Sequence, residues 1–81
     1  MSAQIKQMHM TCNPEAYDIP AEGSVLSRHR LMRKALREHL EQAGYNVIRV
    51  TAAPGEMQRM ADNYPDGLMR FTVYYEHEQE H

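Results

Sequence analysis

Apolar positions recur along this chain with two different periods, and the changes of period mark the elements. From Gln4 to Cys12 the period is two, with Met8, Met10 and Cys12 on one face and His9 and Thr11 on the other, as in a strand. Asn13-Pro14 ends that run, and residues 13–23, which carry Pro14, Pro20 and Gly23, read as a loop. The period then lengthens. Val25, Met32, Leu36, Leu40 and Ala43 fall in one stripe with His29 in its middle, which predicts an amphipathic helix over 25–43. Ser24 stands where an N-cap is needed, and Gly44 where the chain leaves a helix through a left-handed residue. Leu40 and Tyr45 have the spacing of the contact that accompanies such an ending.

Tyr45 to Thr51 is rich in β-branched residues and predicts a second strand, with Ile48 and Val50 on one face and Val47 on the other. Pro54 suits the first position of a short helix that has Glu56 in its first turn. Met57, Met60, Ala61 and Tyr64 would form its apolar face. Pro65-Asp66-Gly67 is a turn. Leu68 to Tyr75 is the third strand, with Met69, Phe71, Val73 and Tyr75 on one face and Leu68, Arg70, Thr72 and Tyr74 on the other. Residues 76–81 form a polar, acidic tail that is expected to fray.

The order is β-α-β-α-β, an α+β arrangement with one long and one short helix on one face of a three-stranded sheet. The strand–helix–strand unit predicts a parallel, right-handed crossover. The pattern leaves the direction of the third strand open. The layout resembles small ferredoxin-like modules, which have a further strand that this chain does not supply. No residue is left over to cover the second sheet face. Each face of the third strand carries apolar residues, so a large apolar patch is expected there, buried in a homodimer or reserved, with the basic helix face, for docking on a foreign partner.

At 81 residues, positions 1–81 make one small domain, marginal in stability alone. Cys12 is the only cysteine, so there is no disulfide framework; a reducing, cytoplasmic location is expected. The first residues lack the apolar run of a signal peptide, and no stretch approaches the roughly 18 apolar residues of a membrane span.

Net charge is −2, but the distribution is bipolar. Arg28, Arg30, Arg33, Lys34 and Arg37 occur with no acid among residues 28–37, while Glu76, Glu78 and Glu80 crowd the C-terminus. Arg30, Arg33, Lys34 and Arg37 stand at i, i+3, i+4 and i+7, a basic stripe beside the apolar one. Such a stripe is either an ordinary solvated face, in part neutralised by the chain's own tail, or a contact for an acidic partner. For nucleic acid the stripe lacks an interleaved aromatic residue, so an acidic protein surface is the expected partner.

Other chemistry is thinly represented. Thioether, imidazole and thiol in Met8-His9-Met10-Thr11-Cys12 would suit a soft metal, but strand alternation separates His9 from the others, and core packing explains the methionines. His77 and His81 would pair on a helix, which a frayed tail is not. No phosphate loop, dinucleotide fingerprint, nucleophile elbow or Cys-x-x-Cys motif occurs. The expectation is a non-catalytic binding or regulatory protein, an inhibitor or adaptor of the kind phages and plasmids encode, without cofactor or metal. The alternatives are a nucleic-acid-binding module and an obligate oligomeric component.

Overall fold

The computed structural model describes residues 4–77. Three strands, β1 (Gln4–Cys12), β2 (Asn46–Ala52) and β3 (Met69–His77), form one antiparallel sheet in the order β1-β3-β2. A long helix, α1 (Val25–Gln42), joins β1 to β2, and a short one, α2 (Glu56–Ala61), precedes β3. The α+β fold in β-α-β-α-β order is therefore the one expected. β1 and β2 run the same way but do not touch, because β3 lies between them and pairs antiparallel with both. This is a split β-α-β unit rather than a directly paired parallel one.

The termini of α1 follow from its flanking residues. Ser24 is extended, and its hydroxyl accepts the Ser27 amide at 3.1 Å. At the other end Gly44 takes φ +102°, the Tyr45 amide reaches the Leu40 carbonyl at 3.0 Å, and the Gly44 amide reaches Glu41 at 3.1 Å. Those two bonds are the Schellman pair. Residues 14–17, expected as loop, form one turn of 3-10 helix, capped by the Asn13 side chain and started by Pro14.

The core lies between α1 and one sheet face. Met32, Leu36 and Leu40 from α1 meet Val47 and Val50 from β2 and Met69, Phe71 and Val73 from β3, with Cys12 at the end of β1. Val47 and Val50 share this face because the register slips between Val47 and Arg49, a β-bulge at Ile48. One extra residue inverts the alternation. The expected pairing of Ile48 with Val50 is thus corrected, and Ile48 is 42% exposed.

The short helix also departs from its predicted periodicity. Gly55 caps it in a left-handed conformation (φ +82°), so it starts at Glu56, and Pro54 lies in the preceding turn. Met57, placed on the apolar face by spacing, is 74% exposed, whereas Glu56 is fully buried. Tyr64 is buried, but beyond the helix, with φ +49°. The reason is polar: the Glu56 carboxylate accepts the Arg70 amide of β3 at 2.8 Å and the Arg59 Nε at 3.1 Å.

The uncovered sheet face is not the apolar surface expected. Its residues are Ile5, Gln7, His9 and Thr11 on β1, Arg70, Thr72, Tyr74 and Glu76 on β3, and Asn46, Arg49 and Thr51 on β2. Polar contacts tie them together: His9 Nδ1 to Thr72 Oγ1 at 3.0 Å, Asn46 Nδ2 to Glu76 at 3.1 Å, and the Arg49 guanidinium 5.0 Å from the Tyr74 ring centre. The apolar side chains of β3 had only one face to fill, and α1 covers it. The described residues therefore offer a homodimer no apolar sheet face to bury. Glu76 and His77, assigned to the tail, belong to β3; the remaining tail, Glu78 and Glu80 included, lies outside the described residues.

Candidate docking surface

Helical spacing puts Arg30, Arg33, Lys34 and Arg37 on one side of α1, next to its core-facing stripe. Because α1 packs chiefly over β2, that side looks past the sheet's edge strand. The four cations and Arg49 from β2 line a shallow cleft of about 470 Å³ with Val50 at its floor. All four sequence-predicted residues are therefore brought together, and a fifth joins them.

Their environments differ. Arg30 and Lys34 are exposed and Arg33 is half-buried. Arg37 is tied down: its Nη2 donates to the Val47 carbonyl at 3.1 Å, and its Nε lies 3.4 Å from Glu41. The Val47 carbonyl belongs to β2, which has no neighbouring strand on that side, so Arg37 blunts a sheet edge as well as adding charge. Among the described residues no carboxylate pairs with Arg30, Arg33 or Lys34. The tail offers no relief through Glu76, which is bonded to Asn46.

Arg49 was missed by sequence reasoning. It comes from a different element, and only the edge position of β2 carries it to the helix stripe. Its guanidinium also lies 5.0 Å over the Tyr74 ring, which belongs to the sheet face that α1 leaves uncovered.

Elsewhere the chemistry is quiet. Cys12 is buried, and burial pushes its thiol up to about 11, which leaves little nucleophilic thiolate at neutral pH. His9 points to the opposite sheet face and is engaged by Thr72. Among the described residues no group of three or more His, Cys, Asp or Glu side chains could hold a metal ion, and no helix is long and apolar enough to cross a membrane. No family model, curated protein or solved structure matches this chain.

Proposed function

We propose that this chain is a non-catalytic binding protein that docks on an acidic protein surface through the cleft between α1 and β2. The observation that carries the reading is the convergence of five cations on one cleft, four of them without a carboxylate partner among the described residues. Holding like charges together opposes folding slightly, by ~0.2–0.5 kcal/mol per helical pair, and an acidic partner would remove that cost. Arginine predominates, which suits forked recognition of carboxylates. An inhibitor or adaptor role, in the cytoplasm, accords with so small a chain.

The charge-reversal pair Arg30→Glu and Lys34→Glu tests this, because both side chains are exposed and neither holds another part of the fold. Affinity capture from the source cell should retain an acidic protein on the wild type and lose it on the variant. Association of the purified pair should slow as salt rises. Equal retention by both proteins would overturn the assignment. One observation favours a second reading: Arg49, which lines the cleft, lies 5.0 Å over the Tyr74 ring of the open sheet face, and such a cation–aromatic pair resembles a platform for single-stranded nucleic acid. That reading predicts binding of a labelled oligonucleotide that falls steeply with salt and weakens in Tyr74→Ala.

A further inference from the structure

The corner where α1, α2 and β3 meet holds two polar atoms that the fold leaves unanswered. His29 is 3% exposed and Tyr64 is 5% exposed. His29 Nε2 and the Tyr64 hydroxyl are both buried and have no hydrogen-bond partner among the described residues. The two rings are parallel within 4° at 6.4 Å, and the imidazole also lies 4.7 Å from the Phe71 ring. A neutral imidazole tolerates such a place as a flat, largely apolar ring. An imidazolium requires an acceptor for each N–H, and here one nitrogen faces none.

The charged groups around the pair do not supply it. On α1, Arg33 follows one turn after His29 and repels a second cation, while Arg28 donates to the Pro20 carbonyl at 2.9 Å. On α2, Glu56 attracts a proton on His29, but both of its oxygens are committed, one to Arg59 and one to the Arg70 amide. Arg59 is itself held by Glu56 and Asp66. β3 contributes Phe71, which carries no charge.

We propose that His29 is an acid-sensitive latch, whose protonation undocks the N-terminal half of α1 from α2 and β3. Burial, with Arg33 adding to it, holds the imidazole below its ordinary range and outweighs the pull of Glu56. A base whose folded affinity for protons is lowered stabilises the fold fully above the ordinary histidine value and loses that contribution as pH falls below it. The latch is therefore closed at neutral pH and opens in mild acid. Arg30, Arg33 and Lys34 ride on the helix segment that would move, but the latch stands whether or not they bind a partner.

Two measurements test it. In the first, the ratio of unfolded to folded protein is followed from pH 7.5 to 5.0 for the wild type and for His29→Phe. The wild type should gain up to ~30-fold more than the variant, the limit for a histidine of ordinary value ~6.5 in the unfolded chain. The other four histidines of the chain, His9, His39, His77 and His81, are retained in both proteins and cancel. Equal pH dependence in the two proteins would overturn the latch. In the second, the imidazole of His29 is titrated by NMR in the folded wild type, which needs no variant to fold. Titration clearly below ~6.5 that is accompanied by loss of the His29 contacts with Tyr64 and Phe71, or unfolding before it titrates, supports the proposal; titration at or above ~6.5, or titration with those contacts kept, refutes it.

Discussion

Two clusters of charge in this fold are built on opposite principles. Where α2 meets β3, every charge is answered. Arg59 reaches Glu56 at 3.1 Å, Asp66 at 2.6 Å and the Leu68 carbonyl at 2.8 Å, and Arg70 lies 3.6 Å from Asp66. The Arg59 hydrogen bond draws Asp66 below the usual carboxylate range, and Asp66 in turn strengthens the hold of Arg59 on its proton. At the cleft between α1 and β2, five cations share one carboxylate among the described residues, Glu41. The first cluster fastens α2 and the turn after it onto the start of β3. The second does little for the fold beyond the Arg37 contact with Val47, and so has charge left for something else. Compensation, rather than charge density, separates structural charge from available charge.

The comparison breaks most visibly at Glu56. Glu56→Leu should destabilise by about 3 kcal/mol or more, since it takes from Arg59 its fully buried partner and from the Arg70 amide its acceptor, while Asp66 and the Leu68 carbonyl still hold Arg59. Urea denaturation read by far-ultraviolet circular dichroism measures it, and a loss under ~1 kcal/mol would mean that the Asp66 and Leu68 contacts of Arg59 hold α2 in place without Glu56.

Leu36→Ala is next. That side chain is fully buried between α1 and the sheet, and truncation should cost about 2–5 kcal/mol. In a domain whose total stability is roughly 5–8 kcal/mol, such a loss moves the denaturation midpoint far or unfolds the chain.

Tyr64→Phe removes a hydroxyl that makes no bond. Its stability at neutral pH should change by less than ~1 kcal/mol, in either direction, because no partner is stranded. At high pH the variant should be the more stable. Burial pushes the Tyr64 hydroxyl up to about 12, so the wild type resists its ionisation when folded and loses stability above ~10, where the unfolded chain releases the proton. Melting temperatures of both proteins at pH 8 and pH 11 check the divergence.

The smallest effect is expected at the cleft. Arg30→Glu with Lys34→Glu should alter stability by no more than ~0.5 kcal/mol, because exposed charges contribute little. A larger loss would show that the stripe serves the fold. Sizing at several concentrations belongs beside it: a homodimer would have to be held by some surface other than an apolar sheet face.

The long helix was legible because both of its ends and its buried stripe are local: Ser24, Gly44, Met32, Leu36 and Leu40 lie within one element and obey one period. The faces of β1 and β3 were legible for the same reason, since alternation is a property of the strand alone. The four helix cations could be grouped from spacing. Arg49 could not, being separated from them by a turn and a bulge. The short helix was misread because a hydrophobic pattern counts Met57 as inward and Glu56 as outward, and it cannot weigh a carboxylate that replaces a missing ladder partner for Arg70.

Sequence alone therefore determined the element order, the caps of α1 and the existence of the basic stripe, since each rests on interactions between residues a few positions apart. Only the tertiary structure decided that β3 inserts between β1 and β2, that a bulge turns Val47 inward and leaves Ile48 exposed, that the uncovered sheet face is polar, and that His29 and Tyr64 share a corner without partners. Those outcomes depend on which surfaces distant segments present to one another. One residue of register exchanges the two faces of a strand, and no local preference fixes that residue.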